Sequence, residues 1–97
     1  MMTEQEKDKL FEIRGKVLNE IIRQRSHGEP GKMSDGNIAV TLYIDANGDV
    51  SWKFWLYCYL IGPQRQYEWY GKTLMDTLTE AEKDIDKWIL EEIESDD

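Results

Sequence analysis

Cysteine, histidine and proline are scarce in this chain, and long apolar runs are missing. Cys58 stands alone, so no intramolecular disulfide can form and no cysteine-based zinc site can be built. His27 is the single histidine, which removes His-rich metal sites and leaves little for His-dependent proton transfer. The longest apolar run, Phe54 to Ile61, falls far short of the ~20 residues that cross a bilayer. The opening residues Met1 to Lys7 are charged and lack the apolar core of an export signal. A free thiol without such a signal predicts a reducing, cytoplasmic setting and no membrane partner. Glycine-rich phosphate loops and nucleophile elbows are missing too.

Basic charge is lacking in one region only. The 97 residues carry 20 acidic and 12 basic side chains, a net charge of −8. Residues 1–75 hold ten of each sign, whereas residues 76–97 set ten acidic side chains against Lys83 and Lys87. The whole excess therefore belongs to the last segment, which bears on partners rather than on fold. What the chain has in quantity is aromatic side chains, with four Trp and five Tyr. That is more than a core this small needs, so some are expected at the surface.

Thr3-Glu4-Gln5-Glu6 has the form of a capping box and opens a helix over about residues 4–25. Leu10, Ile13, Val17, Leu18, Ile21 and Ile22 recur at helical spacing as one apolar stripe, widened by Phe11. Gly15 costs about 1 kcal/mol there and reads as a mark of close packing against a neighbour. Residues 26–36, with three glycines and a proline, form a flexible loop. Asn37 to Ile44 then alternates, with Ile38, Val40, Leu42 and Ile44 on one face. A turn at Asp45-Ala46-Asn47-Gly48-Asp49, where Asn47 and Gly48 can supply positive φ, leads into a second strand over 50–61. Ile44 opposite Val50 sets Leu42 against Trp52, Val40 against Phe54 and Ile38 against Leu56. Closing the next turn with Ile61 opposite Gln66 gives a third strand over 66–71, with Tyr67 against Leu60 and Trp69 against Cys58.

A second amphipathic helix follows over about 74–94, capped by Thr73 and apolar at Leu74, Leu78, Ala81, Ile85, Trp88 and Ile89. Residues 95–97 make a frayed acidic tail. One domain is expected: an α+β two-layer sandwich in the order α-β-β-β-α, its three-stranded antiparallel meander carrying both helices on one face. That element order is similar to the double-stranded-RNA-binding domain, and the resemblance is one of architecture alone. The second helix of that module opens with basic side chains for phosphates. Here Lys72-Thr73-Leu74-Met75-Asp76 offers one lysine before an acidic helix, so direct nucleic-acid binding is not expected.

Two surfaces are candidates for function. Both helices are needed on the aliphatic side, so nothing is left to cover the other face, where Tyr43, Trp55, Tyr57, Tyr59 and Tyr70 fall. Aromatics with a polar tip anchor interfaces, and this set predicts self-association or a protein partner. They are also strong strand formers that pair across strands, a reading that needs no partner. The second surface is the acidic helix, with Asp76, Glu80, Asp84, Glu91 and Glu94. A solvated outer face explains it, and so does a site for a basic protein, including mimicry of nucleic-acid phosphates. Asp45 to Asp49 resembles the start of a calcium loop but puts Val50 where that loop needs Gly and Leu56 where it needs Glu. Cys58 falls on the inward face as a small hydrophobe. His27 lies near Glu29 in the loop, a poor setting for proton transfer. The expected function is a non-enzymatic protein-interaction module without cofactor or metal. The alternatives are an acidic inhibitor of a basic protein, and a small-molecule binder or enzyme with its pocket between the outer sheet face and the 26–36 loop.

Overall fold

A computed structural model of the chain describes residues 2–26, 37–58 and 63–95. Its elements are α1 (Glu4–Ser26), β1 (Asn37–Ile44), β2 (Val50–Tyr57), β3 (Gln66–Gly71) and α2 (Leu74–Ser95), an α-β-β-β-α chain of the α+β class. The strands form one antiparallel sheet in the order β1-β2-β3. Ser26, expected in the loop, closes α1, and Ser95, expected in the tail, closes α2. The rest of the expected loop and the tail residues 96–97 lie outside the described residues.

Local chemistry accounts for both helix starts. The Thr3 amide donates to Glu6 Oε1 at 2.8 Å and the Glu6 amide donates back to Thr3 Oγ1 at 3.1 Å, a closed capping box. At α2 the Asp76 amide donates to Thr73 Oγ1 at 3.1 Å. Between β1 and β2, Gly48 N–H donates to Asp45 O and Asp45 N–H donates to Asp49 O, both at 3.0 Å. Within this turn Gly48 alone has positive φ, at 86°, whereas Asn47 was expected to share that role. A type I turn followed by one left-handed glycine meets the strand twist with a single positive-φ residue, so asparagine is spared the strain.

The β1–β2 register runs from Asn37 opposite Tyr57 to Ile44 opposite Val50 and places the apolar pairs as their alternation predicts. The β2–β3 register does not follow expectation. Gln66 stands opposite Tyr57 rather than Ile61, Tyr67 opposite Leu56 and Trp69 opposite Phe54, a displacement of four residues along β2. An even displacement leaves every side chain on its own face, so alternation cannot distinguish the two registers. The one that forms ends β2 at Tyr57, and Cys58 N–H donates to Arg65 O at 2.9 Å. It sets fully buried Phe54 against Trp69, with ring centroids 5.6 Å apart.

Both helices pack on the face of Phe54 and Leu56, in one core with Ile13, Val17 and Ile21 of α1 and Leu74, Leu78, Ala81 and Ile85 of α2. Side chains of this kind contribute about 1.5–3 kcal/mol each when fully buried. α2 turns back along β3: Trp69 Nε1 donates to Asp84 Oδ2 at 2.8 Å, and the Tyr67 and Trp88 rings lie 4.4 Å apart. The side of α2 that meets α1 carries Glu82 and Asp86 instead. Positions 82 and 84, or 86 and 88, are about 200° apart around a helix of 3.6 residues per turn, so α1 and β3 flank α2 on opposite sides.

The apolar stripe of α1 is not one stripe. Ile13, Val17 and Ile21 are buried, but Phe11 is 64% and Ile22 is 65% exposed. Their positions point away from both the sheet and α2, and seven apolar positions on one helix are more than one contact line can absorb. Gly15 was expected against a neighbour, yet a Cβ built there meets nothing within 4 Å.

Candidate functional site

The residues that the alternation sends outward assemble on the sheet face opposite the helices. Cross-strand pairing arranges them in rows. Tyr43 lies beside Ser51, Thr41 beside Lys53 and Tyr70, Ala39 beside Trp55 and Glu68, and Asn37 beside Tyr57 and Gln66. Two aromatic pairs result. Tyr43 and Tyr70 meet edge to face, with centroids 6.2 Å apart and planes at 76°. Trp55 and Tyr57, two residues apart on one strand, stack at 5.9 Å and 23°. Tyr43 is 48% and Tyr70 54% exposed, whereas Trp55 and Tyr57 are half-buried. Tyr59, the fifth member of the expected patch, lies outside the described residues.

Among the described strand residues of this face, charge is confined to Lys53 and Glu68, which sit between the two aromatic pairs and bind each other at 2.9 Å. Tyr70 donates its hydroxyl to the second oxygen of Glu68 at 2.9 Å, and Lys53 Nζ lies 5.9 Å from the Tyr70 ring centre. The hydrogen bond from Lys53, helped by that from Tyr70, holds the Glu68 carboxyl below its usual range. The same contact raises Lys53, and donation to Glu68 raises the Tyr70 phenol. The patch is thus neutral in sum, amphipathic and already ordered by its own contacts. It can present flat apolar area with fixed polar tips, which is the chemistry of a protein contact.

The acidic residues of α2 divide into two groups. Asp76, Glu80, Glu91 and Glu94 are exposed and fall within about 60° of one another around the helix, as 3.6 residues per turn requires. Lys83 and Lys87 share that arc. Asp84, grouped with them on sequence grounds, is turned toward the sheet, where it accepts the Trp69 indole N–H. Glu82, which the sequence did not single out, is the α2 carboxylate that joins the two helices. It accepts from Lys9 at 2.6 Å and from Lys16 at 3.0 Å, while Lys16 also reaches Asp86 at 3.0 Å. Burial alone would push Glu82 up, but the hydrogen bonds from the two lysines outweigh it and the carboxyl falls below its ordinary value. The signal available in the sequence was the alignment of Lys9 and Lys16 on one side of α1, which has no meaning until α2 is placed beside it.

The remaining candidates take structural roles. Asp45 Oδ1 accepts from the Asn47 amide at 2.9 Å and the Asp49 amide at 3.0 Å, so that carboxylate closes the hairpin turn. Cys58 is fully buried. His27, Glu29 and the loop half of the expected small-molecule pocket lie outside the described residues. Hollows occur beside Trp88, with Pro63, Lys87, Glu91 and Glu92, at the foot of the β1–β2 hairpin, and along the α1–α2 groove. None of these three is lined by Tyr43, Trp55, Tyr57 or Tyr70. No helix among the described residues is long and apolar enough to cross a membrane. The chain has no significant match among protein-family models, curated proteins or solved structures.

Proposed function

We propose that this chain is a non-enzymatic interaction module that holds a protein partner, another copy or a different protein, on the outer face of its sheet. The observation that carries the reading is the pair of aromatic pairs on a face against which neither helix packs. Tyr and Trp supply large contact area with few rotatable bonds, so little entropy is lost when a partner covers them. The neutral Lys53–Glu68 pair between them gives register without demanding an opposite charge from the partner. The exposed carboxylates at Asp76, Glu80, Glu91 and Glu94 support a second, electrostatic surface for a basic protein.

The test compares the parent with Trp55→Ala and Tyr57→Ala. Both variants are expected to keep the circular dichroism spectrum of the parent. Both should lose what this face holds, read as binding of a purified partner or, where the partner is a second copy, as the loss of the contact between copies made by this face alone, contacts through other surfaces being kept. If both associate as the parent does, the face is only a paired β surface.

A further inference from the structure

Strand β1 is an edge without the usual defences. Among the described residues the order β1-β2-β3 leaves one of its sides unpaired, and Asn37–Ile44 contains no charged residue, no proline and no glycine. Its pairing to β2 runs through all eight residues without a bulge. Sheet edges are normally blunted by charge, proline, a bulge or a covering element, because open N–H and C=O groups template another strand. The opposite edge shows the contrast: β3 has six residues, includes Glu68, and has α2 leaning on it through Asp84 and Trp88. The bond from Asp45 N–H to Asp49 O sets the phase of the β1–β2 ladder. By alternation, Asn37, Ala39, Thr41 and Tyr43 face β2, and the N–H and C=O groups of Ile38, Val40, Leu42 and Ile44 face outward.

Apolar surface accumulates on the same side. Leu42 is 49% and Ile44 61% exposed on the helix-covered face of the sheet. α1, which flanks α2 on the side away from β3, turns Phe11 and Ile22 outward, with half-buried Leu18 between them along the helix. Charge then selects the occupant. α1 carries six basic and five acidic side chains and β1 none, whereas α2, on the β3 side, carries eight acidic against two basic. Two chains of net charge −8 repel on most approaches, and the α1–β1 side is where that repulsion is weakest. An extended peptide from elsewhere could pair with β1 but would leave the α1 stripe uncovered. A second copy covers both, because a two-fold axis normal to the sheet sets β1 against β1 and α1 against α1. Eight residues at ~3.4 Å by roughly 20 Å of combined sheet and helix height give on the order of 1,000 Å² in total, where specific interfaces begin.

We propose that two copies of this chain join antiparallel along β1, forming one six-stranded sheet with the two α1 helices side by side over the seam. The contact uses a different surface from the aromatic face and leaves that face free, doubled in extent, for another protein. The test is the mass of the full chain by light scattering behind a sizing column across a concentration series. The expected mass is twice 11.5 kDa. Ile22→Glu, at a position exposed in the single chain, is expected to weaken dimerisation at least tenfold without altering the fold. Leu42→Pro removes an outward N–H and is expected to do the same. Amide exchange at Ile38, Val40, Leu42 and Ile44 should slow as concentration rises, and Trp55→Ala should leave the mass unchanged. A parent that stays monomeric throughout overturns the proposal. So does a dimer that survives Ile22→Glu, or one that Trp55→Ala dissolves.

Discussion

Two glycines of opposite character show what single positions contribute. Gly71 ends β3 just before α2 begins, and a Cβ there would stand 2.5 Å from Thr77 Oγ1 and 3.2 Å from the Thr77 amide nitrogen. Thr77 cannot withdraw, because it is fully buried and its hydroxyl donates to Thr73 O at 2.8 Å. Gly71→Ala is therefore expected to destabilise by about 1–3 kcal/mol, the usual cost of forcing atoms into a packed site. Gly15 has open space around it on an α1 turn, so Gly15→Ala should stabilise by about 0.5–1 kcal/mol through helix propensity. Urea unfolding of both variants checks the pair, and equal signs would contradict this account. Neither outcome was legible in the sequence. Gly15 drew attention by interrupting an apolar pattern, whereas Gly71 was read only as the last residue of the third strand and gained its meaning from a hydroxyl six residues later.

Elements here are joined by charge as well as by apolar contact. Lys9 and Lys16 clamp Glu82, and the clamp fixes α1 beside α2. Because Glu82 titrates below its ordinary value when folded, its contribution to stability is present above the unfolded carboxylate value of 4.5. It is lost as the pH falls through the lower folded value. Glu82→Gln is expected to cost about 1–2 kcal/mol at neutral pH, since it removes the charge from two charge-assisted hydrogen bonds. It should also flatten the fall of stability below about pH 4.5 relative to the parent. Chemical unfolding at neutral and acid pH reads both effects, and parallel curves for parent and variant would remove Glu82 from the account. At this scale the architecture and the β1–β2 register could be read from residue pattern, because each apolar residue of one strand has an apolar partner in the other. The β2–β3 register could not. The run from Phe54 to Ile61 stays apolar past the point where pairing stops, and a two-residue period is blind to an offset of four. The split of α1 escaped for a similar reason: Phe11, Leu18 and Ile22 satisfy helical spacing whether or not anything covers them.

For the whole molecule, the distribution of charge matters more than its sum. α2 holds the acidic excess on one side of the sheet, and the neutral aromatic patch occupies the other. A partner bound to one surface does not touch the other, so the two are separable by substitution. A cationic probe such as oligolysine is expected to bind at the α2 arc and to be lost steeply as salt rises toward about 0.2 M, where the Debye length is below about 10 Å. Glu80→Lys combined with Glu91→Lys should abolish that binding, and Trp55→Ala should leave it intact. A Trp55→Ala variant that also released the probe would place the cation site on the aromatic face. The candidate patch was legible as a list of outward positions. That Lys53 and Glu68 neutralise it at its centre was not, because the pairing depends on the β2–β3 register that the sequence left open.

The burial of Cys58 makes the molecule its own stopwatch. The thiol is the only one in the chain and is wholly enclosed, at the point where the backbone leaves β2 and bonds Arg65. A thiol reagent in solution can reach that sulfur only when this end of the hairpin lets go. The speed of its capture under native conditions therefore counts local openings directly, with no dye or engineered residue. Comparing that count with the global unfolding rate would tell whether the hairpin end breathes independently or comes apart only with the rest.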